Sequence, residues 1–305
     1  MKPFKVTILG SGSATPTKQR NPSSQLVNIH DHLLLIDCGE GTQMQFRKYN
    51  IKYNRINHIF ISHLHGDHYL GLMGLLFTFH LYGRKTTLNL YAPSELADII
   101  DLQLKVSDSQ LVYPLKFHPL QTDVMTEIHK TNTYSVSSFP LKHSIPTWGF
   151  FIKEINNKPK VKKSFIEKEN PSIREKIDIS NGADYVNSEG VVFKNEEITV
   201  PPAPCRSYAY CSDTMFDETI IDYIQNVNTI YHEATFSEEL KDISTQKHHS
   251  TAIEAATIAA KANAKQLIIG HFSARYEDTD PLLSEAESVF RNTIIAEDGL
   301  SVEIL

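Results

Sequence analysis

A chain of 305 residues, of which 41% are hydrophobic and 22% charged, has enough apolar side chains for a sizeable core and is not expected to be disordered. Its net charge of −6 argues against nucleic-acid binding through overall positive charge, so any such binding must rest on local basic patches. Three cysteines without a CxxC pair argue against a disulfide framework and a cysteine-rich zinc site.

The N-terminal half of the chain predicts short strands that end in glycine-rich or polar turns. The first apolar stretch, residues 6–9, is too short for a signal peptide, and no run approaches the ~20 apolar residues of a membrane helix. We therefore expect a cytoplasmic protein without a membrane segment. Apolar residues at helical spacing predict a helix over residues 69–82. Further predicted strands cover residues 33–36, 58–62, 88–91, 115–118, 134–139 and 148–153.

Residues 153–202 differ from their surroundings, because they are rich in lysine, glutamate and asparagine and end in a proline-rich stretch. We interpret them as an excursion from a single domain of residues 1–305, with the inserted arm itself at residues 155–200. Thr251 and Glu254 have the spacing of a capping box, which predicts a helix start. The other predicted elements after the arm are strands at residues 207–211, 229–232 and 265–269, and a helix at residues 217–225.

Both halves of the chain mix strands with helices, and histidines or aspartates follow several strands directly. This pattern predicts an α+β protein built as a four-layer αββα sandwich, with two sheets face to face and helices outside. Polar residues at strand ends would then converge on one rim of the sandwich.

The strongest chemical signal is the segment His63-Leu64-His65-Gly66-Asp67-His68, which directly follows a predicted strand. Imidazole nitrogens and carboxylate oxygens suit zinc or manganese. Gly66 permits the tight turn that lets one segment serve two ions. The alternative, a solvated loop that contains histidines by chance, does not account for this spacing at a strand end.

An HxHxDH segment after a strand resembles the metallo-β-lactamase superfamily. That resemblance implies an αββα sandwich and two metal ions, here two Zn²⁺ per subunit with Mn²⁺ as the alternative. Further ligands are expected after later strands, and His143, Asp213 and His271 occur there in the required order. The resemblance assigns one ion to His63, His65 and His143, the second to Asp67, His68 and His271, and the bridging position to Asp213. It also gives Asp67 a role as general base.

Three further strings resemble the tRNase Z (ribonuclease Z) family: PTKQRN at residues 16–21, HEAT at residues 232–235 and HST at residues 249–251. The resemblance covers essentially the whole chain and implies an endoribonuclease that removes the 3′ trailer from precursor tRNA. It leaves a tRNA 3′-OH and a 5′-phosphorylated trailer. It assigns substrate binding to Lys18 and Arg20, proton donation to His249, and the positioning of His249 to Glu233.

The same resemblance implies that the inserted arm is a flexible exosite for tRNA and that the protein is a homodimer. Basic residues are frequent in the arm: Lys158, Lys160, Lys162, Lys163, Lys168, Arg174 and Lys176. Nearby glutamates dilute this charge, so a solvated linker is the alternative interpretation. The sequence NPSI at residues 170–173 stands where arms of this type carry a Gly-Pro-rich tip, which is a departure from the family pattern.

Two other functions agree with part of the pattern. A phosphodiesterase acting on cyclic nucleotides or other small diesters would need the metal ligands but neither the arm nor Lys18 and Arg20. A non-catalytic, metal-stabilised RNA-binding protein would not need the complete ligand set that this chain carries.

Overall fold

A computed structural model describes residues 2–121, 123–155 and 157–305. The chain forms two compact units. The core unit comprises residues 1–129, 136–152 and 206–305, and the arm unit comprises residues 130–135 and 153–205. In the described part of the chain, no helix combines the length and apolar character that a membrane span requires.

The N-terminal sheet of the core unit positions the HxHxDH segment. Its strands, in spatial order, are Ser301–Glu303, Phe4–Gly10, Ser24–Ile29, His32–Ile36, Ile56–Phe60, Leu88–Pro93 and Leu115–Leu120. The last four run parallel to one another. Because the carboxyl ends of parallel strands meet at one edge of a sheet, Asp37 and His63 emerge at the same edge.

The C-terminal sheet repeats this arrangement with other ligands. Its strands, in spatial order, are Thr293–Ile295, Gln266–Gly270, Thr229–Glu233, Ser207–Cys211, Thr147–Glu154, Tyr134–Leu141 and Thr126–Lys130. The first four are parallel. Asp213 and His271 therefore follow two strands at one edge of the sheet, and Glu233 ends the strand that lies between those two.

Helices cover the outer faces of both sheets, which makes the predicted four-layer sandwich. Leu72, Leu75 and Leu76 pack onto the N-terminal sheet, whereas the small side chains of Ala255 and Ala259 let a helix lie close to the C-terminal sheet. The α-helices of the core unit are Thr42–Lys48, Gly66–Tyr69, Leu72–Leu81, Glu95–Val106, Ile221–Ile224, Lys241–Gln246, Ala252–Lys261 and Asp280–Val289. Short 3₁₀ helices cover Tyr53–Arg55, Glu218–Ile220 and Glu238–Leu240.

Two predicted helices have different bounds in the structure. The helix predicted over residues 69–82 is two helices, Gly66–Tyr69 and Leu72–Leu81. The break falls at Gly71, which donates its N–H to the Cys38 carbonyl and approaches Gly39 too closely for any side chain. The helix predicted over residues 217–225 begins as a 3₁₀ turn, because the Asp217 side chain caps the amide of Thr219.

The arm unit has its own small hydrophobic cluster of Phe165, Ile179, Tyr185 and Ile198. Its helices are Lys163–Glu169, Ile173–Ser180 and Asn195–Ile198, and its two strand pairs are Lys160–Val161 with Thr199–Val200 and Tyr185–Val186 with Val192–Phe193. The NPSI sequence forms the turn between the first two helices. Asn170 there has a left-handed φ of 44°, and Ser172 and Glu175 form a capping box.

Candidate active site

The first group of predicted ligands comes from both sheets. His63 and His65 follow the strand Ile56–Phe60, His143 follows Tyr134–Leu141, and Asp213 follows Ser207–Cys211. One ligand atom from each lies within 4.8 Å of the others. His65 Nδ1 is 3.2 Å from His143 Nε2, and His63 Nε2 is 3.6 Å from Asp213 Oδ2.

The second group contains Asp67, His68 and His271. His271 Nε2 lies 3.3 Å from His68 Nε2 and 3.3 Å from Asp67 Oδ2. Asp213 touches this group through its other oxygen, since Oδ1 is 3.3 Å from His68 Nε2 and 3.2 Å from His271 Nε2. The two carboxylate oxygens of Asp213 therefore face different ligand groups, which is the geometry of a bridging ligand.

The chemistry of these atoms fits divalent cations. His63 Nε2 and Asp213 Oδ1 are buried and have no hydrogen-bond partner among the described residues, which is costly unless something else coordinates them. Burial, and after it the neighbouring His68, lowers the pKa of His63 to about 4, so its imidazole is neutral and can offer a lone pair. Burial opposes ionisation of Asp213, but His271 and His68 outweigh it and hold the pKa of that carboxyl well below its usual range.

Asp37 contacts the second group through His68, on the side of the ring away from Nε2. Its Oδ2 atom lies 2.8 Å from His68 Nδ1 and accepts a hydrogen bond from the Tyr210 hydroxyl at 2.7 Å, while Oδ1 accepts from the Ser62 amide at 2.7 Å. A proton held on His68 Nδ1 leaves the lone pair of Nε2 free for a metal ion. No role was predicted for Asp37, although its place directly after a predicted strand was a usable signal.

Two more ligand histidines are oriented through Nδ1. His143 Nδ1 lies 2.7 Å from the backbone carbonyl of His248, and His271 Nδ1 lies 2.9 Å from Thr235 Oγ1. The side chain of His248 received no predicted role, and the contact uses only its backbone. In both cases, an Nδ1–H donor leaves Nε2 as the ligand atom.

Glu233 and His249 form a dyad beside both ligand groups. Glu233 Oε1 lies 2.8 Å from His249 Nδ1, and the His249 ring centroid is 5.0 Å from that of His143 and 5.5 Å from that of His271. Burial by itself lowers the pKa of His249, but the charge and hydrogen bond of Glu233 outweigh it and raise the pKa to about 9. His249 also lies two residues before Thr251, the cap of the helix Ala252–Lys261.

The loop at residues 16–21 lies beside this cluster, but its two predicted substrate cations differ in environment. Lys18 is exposed. The Arg20 guanidinium donates a hydrogen bond to the Tyr276 carbonyl and lies 5.9 Å from the Phe272 ring centroid. The loop is anchored by Asp298, whose carboxylate accepts hydrogen bonds from the amide and the side chain of Asn21, both at 2.8 Å. Asp298 had no predicted role.

A cleft of about 340 Å³ opens over the ligand groups. It combines predicted ligand residues, His249, and Pro16 and Pro22 on either side of the loop. Its lining residues are Ser13, Ala14, Pro16, Pro22, Glu40, His65, Gly66, Asp67, Leu70, Asp213 and His249. The cleft therefore brings predicted ligand residues from both groups and His249 to the wall of one cavity.

The chain is similar to proteins of known family along its whole length. The family model described as Anti-Pycsar protein Apyc1 matches residues 4–160, which contain His63 to His143 but neither Asp213 nor His271. Ribonuclease Z from Bacteroides fragilis (strain YCH46) is 43% identical over 304 residues, which cover 100% of each chain.

Solved structures agree with this relationship. Human tRNase Z, short form, superposes with a TM-score of 0.72 at 26% identity over 99% of each chain. The metallo-β-lactamase fold protein YhfI from Bacillus subtilis gives a TM-score of 0.70 at 20% identity over 99% of this chain and 100% of that one. The chain therefore has a metallo-β-lactamase fold, matches the Apyc1 family over its first half, and belongs over its full length to the ribonuclease Z family.

Proposed function

We propose that this ribonuclease removes the 3′ trailer from tRNA precursors, leaving a tRNA with a 3′-OH and a trailer with a 5′-phosphate. The observation that carries the proposal is the contact of 2.8 Å between Glu233 and His249, next to two ligand groups that share Asp213. Phosphodiester hydrolysis needs both charge stabilisation at phosphorus and protonation of the leaving oxygen, and this arrangement supplies groups for each.

The ligand groups would hold two Zn²⁺ ions per chain, with Mn²⁺ as the alternative. One ion would be held by His63, His65 and His143, the other by Asp67, His68 and His271, and Asp213 would contribute to both sites. When bound, such ions polarise phosphoryl oxygens and lower the pKa of a water molecule towards neutrality. The absence of thiolate ligands agrees with a hydrolytic centre and not with a purely structural one.

Side chains of the protein would carry out the proton transfers. Glu233 holds His249 through Nδ1, so Nε2 is the nitrogen that can donate a proton to the departing 3′-oxygen of the tRNA. A carboxylate partner also stabilises the imidazolium before the transfer. Asp67 accepts a hydrogen bond of 2.7 Å from the Ala14 amide, and we assign it the orientation of the attacking water as general base.

Two elements outside the metal groups support an RNA substrate over a small diester. We propose that Lys18 and Arg20 bind phosphates of the precursor, since phosphate contacts are the usual way in which proteins position nucleic acid. We also propose that the inserted arm, residues 155–200, is an exosite that binds the tRNA away from the cleavage site. A phosphodiesterase for cyclic nucleotides would use neither element.

We further propose that the enzyme is a cytoplasmic homodimer. Exposed apolar side chains support the dimer: Met44, Leu70, Leu81 and Tyr82 are 69%, 60%, 80% and 69% exposed. Leu81 ends the helix Leu72–Leu81, and Leu70 and Tyr82 flank that helix on either side. Exposed apolar side chains that are close together are typical of a protein–protein contact. Sedimentation of the wild type and of Leu81→Glu tests the proposed dimer. We expect a dimeric wild type and a weakened dimer in the variant, and a monomeric wild type would contradict the proposal.

The experiment that tests the function compares two substrates, a precursor tRNA and a cyclic nucleotide, with the metal-loaded enzyme. A precursor tRNA with a defined trailer should be cleaved, and a chelator should abolish the cleavage. A 3′,5′-cyclic nucleotide should be hydrolysed poorly, because it engages neither the Lys18–Arg20 loop nor the arm. Efficient hydrolysis of the cyclic nucleotide with an intact precursor would favour the phosphodiesterase instead.

A further inference from the structure

Glu40 is a carboxylate in the cleft that the proposed chemistry does not use. Three carboxylate residues line the cleft, and Asp67 and Asp213 both belong to the ligand groups. Glu40 belongs to neither group, and it is exposed. No hydrogen bond or ion pair joins its side chain to any other residue in the described part of the chain.

The backbone around Glu40 is fixed against the ligand segment and the substrate loop. A Cβ atom on Gly39 would lie 2.4 Å from the Asp67 carbonyl oxygen, and one on Gly41 would lie 2.9 Å from the Asn21 side chain. Gly41 also has a left-handed φ of 83°. Side chains are thus excluded on both sides of Glu40, and this turn presents a single side chain beside the cleft.

A free carboxylate is an unexpected neighbour for a polyanionic substrate. Like charges repel, and they repel more strongly in a cleft than in bulk water. Glu40 precedes the helix Thr42–Lys48, and its charge is favourable at a helix start. An acidic residue anywhere in the first turn would stabilise the helix in this way, so helix stabilisation does not explain why Glu40 lies in the lining of the cleft.

A carboxylate accepts hydrogen bonds and donates none, so its favourable partner in RNA is a hydrogen-bond donor. We propose that Glu40 accepts a hydrogen bond from the exocyclic amino group of a nucleobase adjacent to the scissile phosphate. It is then a specificity-determining residue that favours adenine, cytosine or guanine over uracil at that position. Single-stranded bases expose these groups for such contacts. The inference rests on the proposed ribonuclease function.

The test deletes one amino group from the substrate. Precursor tRNAs carry adenosine or purine riboside, which lacks the amino group, at each nucleotide flanking the cleavage site in turn. At one position, the change from adenosine to purine riboside should lower the kcat/KM of wild type by roughly tenfold to a hundredfold, which is the size expected for a hydrogen bond to a charged group. Glu40→Ala should cleave both precursors with equal kcat/KM, and Glu40→Gln, which keeps one carbonyl acceptor, should retain part of the preference.

Controls separate the possible outcomes. Glu287→Ala removes an exposed carboxylate from the helix Asp280–Val289 and should keep the wild-type preference. A Glu40→Ala variant that slows both precursors equally and keeps the preference would overturn the inference, as would a preference that depends on a 2′-deoxy substitution and not on the amino group. Equal cleavage of both precursors by wild type at every tested position would overturn the inference about Glu40 and leave the proposed ribonuclease function intact. No cleavage of any precursor would contradict the proposed function itself.

Discussion

The Nδ1 atom of His249 lies 2.8 Å from Oε1 of Glu233, a side chain with no exposed surface. Glu233 also accepts hydrogen bonds from the amides of Thr214 and Thr235, both at 3.0 Å, and from the Thr235 hydroxyl at 2.7 Å. A buried carboxylate with this many donors can remain charged. Thr235 also contacts the predicted ligand His271, so the HEAT sequence connects the proposed proton donor with the proposed metal centre.

Replacing His249 with alanine should lower kcat for precursor tRNA by about 10²–10⁴-fold, the usual contribution of general acid catalysis. Metal content and precursor affinity should stay close to those of wild type, because His249 lies outside the two proposed ligand sets. His248→Asn is the matched control, since asparagine tolerates the left-handed φ of 55° and His248 contributes its backbone carbonyl to His143. A variant within a few-fold of wild type in kcat would demote His249 to a structural residue.

Glu233→Gln should move the alkaline limb of the pH–kcat profile to lower pH. His249 must be protonated to donate, so activity is present below its pKa and is lost as the pH rises through it. Glu233 raises the pKa of His249 to about 9, against the effect of burial. Bound cations would lower this pKa in wild type and in Glu233→Gln alike, so they do not change the direction of the difference. Removing the carboxylate charge therefore lowers the pKa. A limb at unchanged pH would show that His249 is not the titrating donor.

Asp213→Ala should reduce the occupancy of both metal sites, because Asp213 Oδ1 and Oδ2 face different ligand groups. His143→Ala is the informative comparison, since His143 belongs to one group and its loss should empty mainly one site. Elemental analysis of the purified proteins after metal loading measures both stoichiometries. If Asp213→Ala retains two ions per chain, the bridging assignment is wrong.

Removal of the arm should weaken tRNA binding and spare the chemistry. The Asn157 side chain donates a hydrogen bond of 3.0 Å to the Ala203 carbonyl, so residues 158–202 can be replaced by a short Gly-Ser linker. The Michaelis constant for precursor tRNA should rise and its salt dependence should flatten, since each lost phosphate contact removes roughly 0.7–0.9 from the slope of log K against log salt. Hydrolysis of bis(p-nitrophenyl) phosphate should persist. Unchanged tRNA affinity would identify the arm as a linker.

The sequence could predict that the proposed ligand residues lie close together, because each follows a short apolar strand and such strands end at one rim of the sandwich. Other features depend on contacts between distant parts of the chain. Asp37 supports His68 because the parallel register of two strands brings together residues that lie 31 positions apart. The strand Ser24–Ile29 was missed because the buried Gln25, which accepts a hydrogen bond from the Tyr208 hydroxyl, interrupts its apolar pattern.

The sequence predicts how many basic side chains the arm has, but not which of them have partners within the arm. Several lysines there are engaged within the arm unit, and a count of basic residues cannot register this. Lys163 lies 3.6 Å from Glu167, Lys168 lies 3.4 Å from Glu169, and Lys162 donates to the Glu197 carbonyl. Pairs on side chains as exposed as Lys163 and Lys168 are weak, so these lysines can exchange their acidic partners for phosphates, and the salt slope reports how many of them do so.

The most direct test of the central claim is the chemical identity of the ends produced from one defined precursor tRNA. The metal-loaded enzyme should release a tRNA that ends in a 3′-OH and a trailer that begins with a 5′-phosphate, as end-specific labelling and mass spectrometry would record. The His249→Ala variant should yield the same ends more slowly. Products with a 3′-phosphate or a 2′,3′-cyclic phosphate, or trailer removal one nucleotide at a time, would contradict the account.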